Sequence, residues 1–525
     1  MEKHPVRQVN KALLGITRRA EKRDARQLVD SFVEVGSVFH ALATVDHQVL
    51  YGRRGTGKTH ILSYLVSKHR EAGAVAVALD MRTIGSSGGL YADPSTPLAE
   101  RASRLLKDTL LALHDSLLEE ACSNDTVDLS ACGEALDGLL ESAISVRVDQ
   151  TMDLESRSRQ DASTHGSLTI NLSGSPTIAL GSQQQSEMLE ERAERVSGTP
   201  RLYVNFGTVQ RELSKLVSKL PKAQLWIVLD EWSEVPLTLQ PYLADMLTRC
   251  MFPVRGITVK IAAIRQRTSF RIGDPVTGYV GLEVGADVSA GIDLDENLVF
   301  ENNPEAAKEF FRTMLWRHVI TADGEREPSI QFNDADSFVK DAFTQITALD
   351  ELVRAAEGIP RDAINIVGAA ATRANDEKIS VKHVRAAALA WYQSNKQSAI
   401  SSRPEAEKLL TWIVEKVIRG KKARAFLLDV DAKDALVDFL YDARAIHLIK
   451  QNISGQDVAG SRYNVFSLDY GLYVDLINTV NAPIHLLGVE EEQEGDLVDV
   501  PMADYRSIRR AVLDLEEFRR NIPSK

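Results

Sequence analysis

Cysteine is scarce in this chain of 525 residues, which contains only Cys122, Cys132 and Cys250. None of them belongs to a C-x-x-C pair, so the sequence supports neither a disulfide framework nor a structural zinc site. Long apolar runs are also lacking, since no uninterrupted stretch approaches the roughly 20 residues that a membrane-spanning helix needs. We therefore expect no membrane partner and interpret the three cysteines as ordinary small apolar side chains.

The sequence also lacks an excess of positive charge and an apolar leader. Its formal net charge is −12, so any nucleic-acid binding has to come from local basic patches. The segment from Met1 to Arg7 does not contain the apolar core of a signal peptide, and we expect a cytoplasmic protein. A hydrophobic content of 44% suits a globular chain, and the length predicts roughly three domains.

The chain does contain a glycine-rich motif between a predicted strand, residues 48–51, and a predicted helix. From Gly52 to Thr59 it fits the pattern G-x-x-x-x-G-K-[ST]. In this pattern backbone N–H groups and the positive end of a helix dipole bind phosphate oxygens. Lys58 is predicted to reach the β- and γ-phosphates, and Thr59 to bind Mg²⁺. The residues predicted to bind the nucleotide are Gly52, Arg53, Arg54, Gly55, Thr56, Gly57, Lys58, Thr59 and His60.

A second apolar run, residues 225–229, ends in the two acids Asp230 and Glu231. A strand that is buried on both faces delivers such carboxylates to the carboxyl edge of a parallel sheet. This Walker B pattern predicts that Asp230 holds Mg²⁺ and that Glu231 orients or deprotonates the attacking water. We expect this strand to adjoin the strand that precedes the glycine-rich loop.

Two further segments carry candidate catalytic residues. Strand 259–264 is followed by Arg265 and Gln266, one of which is predicted to lie near the γ-phosphate as sensor 1; the alternative is a surface arginine after a core strand. The segment Gly358-Ile-Pro-Arg361 predicts the end of one helix and the start of another. Arg361 is unfavourable for the helix dipole there, so we expect it at the γ-phosphate as sensor 2, the alternative being an exposed side chain.

The organisation of the chain follows from these segments and from changes in composition. Apolar alternation at 144–148 and 168–172 predicts a β-hairpin excursion. This excursion is either an exposed or partly disordered ornament or a docking surface. The predicted domains are a helical N-terminal segment (1–45), a P-loop core (46–300) with an insertion at about 84–200, a helical lid (301–397), a winged-helix-like domain (404–488), and an acidic linker with a C-terminal helix (489–525).

The C-terminal third has the order helix, strand, helix, hairpin over residues 405–468, which resembles a winged helix. Its second helix carries Asp431, Asp434 and Asp438, which DNA phosphates would repel. We therefore expect contact with a partner protein, while DNA contact elsewhere, for instance at the basic run 419–424, stays open.

An acidic run at 490–494 then leads to a segment with helical spacing. We predict a helix over 503–520 with Ile508, Val512 and Leu515 on its apolar stripe. This stripe is expected to dock on the chain itself or on a partner.

With these motifs in this order, the chain resembles the AAA+ ATPases over about residues 25–397. Within them it is similar to the branch of origin-recognition and cell-division-cycle initiator ATPases, which merges into the STAND-type signalling ATPases and whose bacterial members often look like parts of defence or mobile-element systems. The resemblance implies an α/β fold with a P-loop NTPase parallel sheet core, a helical AAA+ lid and a C-terminal winged-helix-like α+β domain. It also implies ATP as the nucleotide and ATP-dependent homo-oligomers.

In such assemblies an arginine of a neighbouring subunit stabilises charge on the transferring phosphoryl group. The candidates flank the sensor strand: Arg249, Arg255, Arg267 and Arg271. We expect an ATPase that acts as a switch to assemble or remodel a protein complex. A DNA-binding initiator, loader or transposition regulator controlled by ATP is the alternative. A third class, a binding module without turnover, is disfavoured by Asp230 and Glu231.

Overall fold

A computed structural model of the chain describes residues 5–17, 23–84, 93, 95–143, 146–150, 198–202, 204–274, 278–300, 303–323, 332–421, 423, 425–432, 434–454, 461–478 and 511–521. The predicted hairpin residues 168–172 and the acidic run 490–494 lie outside these ranges. The chain divides into two compact units. The first comprises Met1–Ala43, Tyr51–Tyr64 and Ile292–Lys525, and the second comprises Thr44–Leu50 and Leu65–Gly291.

The strands within the described ranges are numbered in chain order. They are β1 (Gln48–Tyr51), β2 (Val75–Asp80), β3 (Val146–Gln150), β4 (Gly198–Leu202), β5 (Leu225–Asp230), β6 (Ile257–Ala263), β7 (Arg271–Asp274), β8 (Gly278–Gly281), β9 (Ser289–Asp293), β10 (Ala425–Asp429), β11 (Ile446–Ser454) and β12 (Arg462–Leu468).

The α-helices are numbered in the same way. They are α1 (Pro5–Leu14), α2 (Ala25–Asp30), α3 (Val38–Leu42), α4 (Lys58–Glu71), α5 (Leu98–Ser123), α6 (Leu129–Ala143), α7 (Phe206–Lys219), α8 (Gln240–Met246), α9 (Leu294–Leu298), α10 (Pro304–Asp323), α11 (Ala335–Ala342), α12 (Ile346–Ala356), α13 (Pro360–Ala374), α14 (Val381–Trp391), α15 (Ser398–Ser401), α16 (Pro404–Trp412), α17 (Ala435–Asp442), α18 (Tyr470–Asn478) and α19 (Leu515–Asn521).

A five-stranded sheet of order β2-β5-β6-β1-β9 forms the centre of the second unit. Strand β5 pairs in parallel with β2, where Asp80 lies opposite Asp230, and in parallel with β6 on its other side. Every residue of β5 and β6 is buried. This is why β5 is an apolar run up to Asp230 and why β6 is mostly apolar, with Thr258 and Lys260 as its buried polar residues. The α/β class and the parallel pairing that the sequence predicts are confirmed.

The order of the strands corrects one expectation. We expected β5, which ends in Asp230, to adjoin β1, but β6 lies between them. Strand order depends on contacts between distant segments, and β5 and β6, both fully buried, are equally suited to a position beside β1. The predicted sensor strand, rather than the Walker B strand, therefore adjoins the strand that precedes the glycine-rich loop.

The predicted insertion between β2 and β5 begins with α5, the long helix that apolar spacing indicates near residues 98–121. After α6, strand β3 pairs antiparallel with β4, from Val146 opposite Leu202 to Gln150 opposite Gly198. The backbone ends of the excursion are thus joined as a two-stranded ribbon. The docking role of this excursion stays a prediction.

A helical core fills much of the first unit. It consists of side chains from α1, α10 to α14 and α18, among them Phe311, Phe338 and Val367. Capping boxes begin two of these helices, with Asp334 before α11 and Ser380 before α14, because each side chain accepts a bond from an otherwise unpaired N–H of the first turn. This packing fixes the start of α13, which is close to the glycine-rich loop.

A second core of the first unit belongs to residues 404–478 and 511–521, here called the C-terminal domain. Its sheet has the order β10-β12-β11 with antiparallel pairs, and α17 is the only helix described between β10 and β11. The elements follow the order that the sequence predicts for 405–468. The likeness of this domain to a winged helix stays a prediction.

In the described residues, the predicted helix over 503–520 is present from Leu515 onward and is wrong at 511–514. Helix α19 begins only at Leu515, and Val512 forms a parallel bridge with Leu427 of β10. The N–H of Leu427 donates to the Ala511 carbonyl at 2.7 Å, and the N–H of Leu513 donates to the Leu427 carbonyl at 2.8 Å. Ala511 and Leu513 are both buried, so a two-residue periodicity prevails here over the helical stripe. Ile508 lies outside the described residues.

Candidate nucleotide-binding site

The glycine-rich loop connects β1 to α4 in the predicted strand–loop–helix arrangement. Gly55 and Gly57 have φ values of +92° and +100°, which are readily adopted only by glycine. At Gly52 an added Cβ would lie 2.6 Å from the Thr56 hydroxyl oxygen. The glycines at these positions therefore permit a tight turn whose backbone leads directly into the N-terminus of α4, where a helix dipole favours anions.

Lys58, the first residue of α4, is only 7% exposed. Its ammonium donates to the carbonyl of Gly52 at 2.7 Å and to that of Arg53 at 3.1 Å. The Thr56 hydroxyl donates to the Arg53 carbonyl as well, at 2.9 Å. The lysine charge thus lies against the loop itself, and Thr59 follows it in the first helical turn.

Arg53 is fully engaged within the protein. Asp295, at the start of α9, accepts from its backbone N–H at 3.0 Å and from its Nε at 3.2 Å, and the Glu357 carbonyl accepts from Nη2 at 3.0 Å. The remaining terminal nitrogen contacts Nδ1 of His447 in the C-terminal domain. Burial alone would lower the pKa of Arg53, but the Asp295 carboxylate raises it above its ordinary value. Arg53 therefore shapes the loop, whereas Arg54 beside it is exposed.

His60 is the third residue of α4, and its side chain packs within the protein. Its Nε2 donates to the Leu28 carbonyl at 2.8 Å, and its ring meets that of Phe32 edge to face. Burial lowers the pKa of His60, so its imidazole is neutral at neutral pH. Its imidazole thus faces α2 and the segment after it, and a contribution to phosphate binding would come from its backbone.

The predicted sensor 2 residue lies beside the loop. Arg361 occupies the second position of α13 after Pro360, and its N–H donates to the Gly55 carbonyl at 3.2 Å. A Cβ added to Gly55 would lie 2.9 Å from the Cβ of Arg361. This close approach needs the turn before α13, where Glu357 and Gly358 have φ values of 50° and 74°. The structure thus brings Arg361 and the Walker A loop together.

The Walker B acids end β5 in the second unit. Asp230 is 9% exposed, and its Oδ1 accepts from the N–H of Glu231 at 2.8 Å. Glu231 has the left-handed conformation, with φ 55° and ψ 37°, which is uncommon for a residue with a side chain. Such backbone conformations persist where the surrounding structure enforces them, and they concentrate at functional sites.

Asp80 and Arg82, which the sequence did not suggest as site residues, lie beside these acids. Arg82 pairs with Asp80 at 2.6 Å, and its other terminal nitrogen lies 3.9 Å from Oε1 of Glu231. Burial opposes ionisation of Asp80, but the hydrogen bonds from Arg82 hold its pKa below the ordinary value. An acid and a basic residue directly after a buried strand would have been the sequence signal for this pair.

The predicted sensor 1 residue follows β6. Arg265 begins a short 3₁₀ turn and is exposed, while Gln266 is half-buried. Of the arginines proposed to act in a neighbouring subunit, Arg249 pairs with Asp245 at 2.8 Å and Arg271 with Glu283 at 3.2 Å. Arg255 is exposed and Arg267 is half-buried. The roles of Arg265 and of these arginines stay predictions.

Thr59 in the first unit and Asp230 in the second each carry hard oxygen atoms, the ligand type that Mg²⁺ prefers. Within the described ranges, no set of three or more His, Cys, Asp or Glu side chains is arranged to hold a metal ion by itself. Among the helices described, none is long and apolar enough to cross a bilayer.

Comparison with known proteins finds a partial match to one family model and two solved structures of similar fold. No curated protein matches the sequence. The fold is similar to Cdc6p from Pyrobaculum aerophilum, at 12% identity and a TM-score of 0.33, over 85% of this chain and 94% of that chain. It is also similar to the Aeropyrum pernix ORC1 protein in complex with DNA, at 13% identity and a TM-score of 0.30, over 87% of this chain and 97% of that chain. Likenesses of this degree establish no function. The segment that carries β1, the glycine-rich loop and α4, residues 17–78, matches the model of the ORC-CDC6-like family.

Proposed function

We propose that the chain is an AAA+ ATPase that binds ATP with Mg²⁺, hydrolyses it, and uses the cycle as a switch to assemble or remodel a protein complex. The observation that carries this proposal is the loop from Gly52 to Lys58. Two of its glycines have positive φ, it opens into the N-terminus of α4, and its buried lysine donates to loop carbonyls. Backbone N–H groups, a helix dipole and a lysine are the groups that bind a polyphosphate. The ORC-CDC6-like match of residues 17–78 supports the same function.

Each residue has a defined role in this proposal. Lys58 exchanges loop carbonyls for charged phosphate oxygens, which are stronger acceptors. Glu231 orients or deprotonates the attacking water, and Arg361 and Arg265 bind the γ-phosphate. Thr59 and Asp230 would hold Mg²⁺, which, when bound, neutralises charge on the phosphates.

Nucleotide binding is tested first, by calorimetry with Mg-ATP on the full chain and on Lys58→Ala. Removing a charged donor should weaken binding by at least about tenfold. Lys68→Ala is the matched control, because Lys68 lies on the same helix, away from the loop, and pairs with Glu71 on the surface. Equal affinities of the wild type and Lys58→Ala would contradict the proposed loop, and so would the absence of any binding heat.

Hydrolysis is tested separately by phosphate release from Glu231→Gln and Glu234→Gln. The proposal predicts that Glu231→Gln still binds ATP but loses turnover by on the order of a hundredfold or more. Glu234→Gln changes a carboxylate in the adjacent 3₁₀ turn, residues 232–234, and should retain turnover. Equal rates of phosphate release from Glu231→Gln and the wild type would remove the proposed role of Glu231.

ATP-dependent self-association is the proposed output. Light scattering on Glu231→Gln with Mg-ATP should give a larger particle than with Mg-ADP. Three of the four candidate arginines are exposed, namely Arg249, Arg255 and Arg271. Arg249 and Arg271 already pair with acidic side chains, so Arg255→Ala is the first variant to test. A monomer at every concentration with ATP would count against this output. A cytoplasmic, bacterial setting in a defence or mobile-element system, with a partner protein, is proposed from the resemblance alone.

A DNA-binding initiator, loader or transposition regulator controlled by ATP is the second candidate, and the ORC-CDC6-like match of residues 17–78 favours it. The acidic face of α17 is against it at that helix. Asp434 caps α17 and pairs with Arg519, while burial and the neighbouring Asp442 raise the pKa of Asp438. A gel-shift series over salt concentration separates the candidates, because phosphate contacts lose affinity steeply as salt rises.

A further inference from the structure

The glycine-rich loop is joined to the C-terminal domain by a continuous set of buried side chains. The contact begins at Arg53, whose guanidinium meets Nδ1 of His447 in β11, although the two residues lie 394 positions apart in sequence. Tyr441 of α17 donates to Asp295 at 3.3 Å, the same carboxylate that holds the N–H and Nε of Arg53. Two side chains of the C-terminal domain therefore reach the framework of the loop.

Geometry fixes the protonation of His447. A guanidinium has no acceptor, so Nδ1 of His447 has to accept from Arg53 and the ring is neutral with its proton on Nε2. That nitrogen donates to Oδ2 of Asp469 at 3.2 Å. Burial lowers the pKa of His447 to about 4, although the bond to Asp469 opposes the shift. The imidazole consequently links the two residues: it accepts a hydrogen bond from Arg53 and donates one to Asp469.

Asp469 is itself held rigidly. Its Oδ1 accepts from the Gly471 N–H at 3.0 Å, and its other oxygen pairs with the buried ammonium of Lys396. Burial alone would raise the pKa of Asp469, but Lys396 and His447 lower it to about 2. The orientation of His447 is thus set by a carboxylate that stays ionised at neutral pH.

The same set of side chains also reaches the loop by a second route, through the start of α13. Lys396 also pairs with Asp362 at 3.1 Å, and Arg444, just before β11, pairs with the other oxygen of Asp362. Asp362 follows Arg361, whose N–H bonds to Gly55. The C-terminal domain therefore contacts the loop directly at Arg53 and indirectly through the start of α13.

We propose that His447, oriented by Asp469, is a positioning residue of the nucleotide site: through Arg53 it holds the glycine-rich loop in its phosphate-binding shape, so that affinity for a nucleoside triphosphate depends on docking of the C-terminal domain. This inference rests on the proposed nucleotide binding. Because coupling is reciprocal, nucleotide in the loop stabilises the docked position of β11 by the same factor. His447 touches no phosphate, so ATP and ADP are affected alike, and KM changes while kcat does not.

Two substitutions in the full chain test the proposal. His447→Leu removes the acceptor and the donor, whereas His447→Gln retains an amide oxygen for Arg53 and an amide N–H for Asp469. Calorimetry should show ATP and ADP bound about tenfold more weakly by His447→Leu and within about threefold of wild type by His447→Gln. Phe426→Leu is the control, because Phe426 is buried in the core of the same domain and makes no contact with Arg53 among those described.

Amide hydrogen exchange on the nucleotide-free protein gives a second readout that needs no ligand. His447→Leu should speed exchange at residues 52–59, where the Arg53 N–H is held by Asp295, and Phe426→Leu should not. Unchanged exchange in His447→Leu overturns the proposal, and so does an equal loss of affinity in Phe426→Leu. A wild type that binds no nucleotide would refute the proposed function instead, and the exchange result would still decide whether His447 positions the loop.

The reciprocal effect is tested in the same experiment. Mg-ATP should slow exchange in β11 of the wild type, and this protection should disappear in Arg53→Lys, which cannot present the three nitrogens that bridge Asp295, Glu357 and His447. Protection of β11 that persists in Arg53→Lys would show that the coupling does not pass through Arg53.

Discussion

At the scale of the residue, two glycines of the glycine-rich loop share a left-handed backbone but differ in how closely other residues surround them. Gly55 and Gly57 both have strongly positive φ. A Cβ at Gly55 would lie 2.9 Å from Arg361 and 3.1 Å from Ile359, whereas a Cβ at Gly57 meets nothing within 4 Å. The first glycine is therefore required by its neighbours as well as by its φ.

Substituting each glycine by alanine tests this difference on nucleotide-free protein. Both changes should lose about 1 kcal/mol of unfolding free energy from the left-handed backbone. Gly55→Ala should lose on the order of 1–3 kcal/mol more, because the start of α13 has to move away. Urea denaturation of the two variants measures the difference. Equal losses would show that the approach of α13 to the loop is loose.

His447 gives a pH prediction at the same scale. Its folded pKa of about 4 lies below the ordinary value of 6.5, so its contribution to stability is complete above pH 6.5 and is lost as pH falls through 4. One pKa unit corresponds to about 1.4 kcal/mol, so the wild type should lose about 3 kcal/mol over this interval through this residue. The groups that face the ring, Arg53, Asp469 and Lys396, keep their charge over most of this interval.

Denaturation of the wild type and His447→Gln as a function of pH measures this contribution. Between pH 6.5 and 4 the wild type should lose about 3 kcal/mol of unfolding free energy relative to His447→Gln, while other buried histidines such as His318 affect both proteins alike. Parallel pH profiles would mean that His447 is not held neutral against Arg53.

At the scale of the element, the location of each strand along the chain was easier to predict than the strand that pairs with it. Strands β2, β5 and β6 are mostly buried and mostly apolar, and such runs are visible in the sequence because burial on both faces disfavours polar residues. Walker A, Walker B and the Gly-Ile-Pro-Arg turn could also be recognised, because each is a short continuous pattern of residues. The order β5-β6-β1 and the bridge at Val512 could not, because each depends on which distant segments pair.

The segment 511–513 yields a prediction of its own. Leu513 is buried in the core of the C-terminal domain and hydrogen-bonded to β10. Leu513→Ala should therefore lower the unfolding free energy by about 2–5 kcal/mol. Glu516→Ala, an exposed position of α19, is the control and should change it by less than about 0.5 kcal/mol. Thermal or urea unfolding decides, and indistinguishable variants would mean that this segment is detached in solution.

At the scale of the whole molecule, the formal charge of −12 gives the two candidate functions opposite responses to salt. Copies of an acidic protein repel one another, and salt screens this repulsion over a length of about 10 Å at 0.1 M. ATP-dependent assembly of Glu231→Gln should therefore persist or strengthen as salt rises from about 50 to 300 mM, whereas DNA affinity should fall steeply. Light scattering and gel shifts over one salt series measure both. If assembly is lost over the same range of salt concentration as DNA binding, the initiator function would be favoured.

The contacts that could not be predicted from the sequence join residues that lie far apart along the chain. Arg53 was predicted to bind nucleotide because it lies inside the motif, and only the fold reveals Asp295, Glu357 and His447 around it. Likewise the sequence around Lys396, at the end of the predicted lid, gave no sign of its partners Asp362 and Asp469. Charged side chains that are buried need partners, but the sequence does not state which side chains are buried.

The turn before α13 has a consequence for which changes the chain can tolerate. Consecutive residues of a helix differ in direction by about 100°, and here the Arg361 amide meets Gly55 while the Asp362 carboxylate meets Lys396 and Arg444. One residue added to or deleted from Glu357-Gly358 would rotate both away at once. Natural variation should therefore alter the chemistry of this turn more readily than its length.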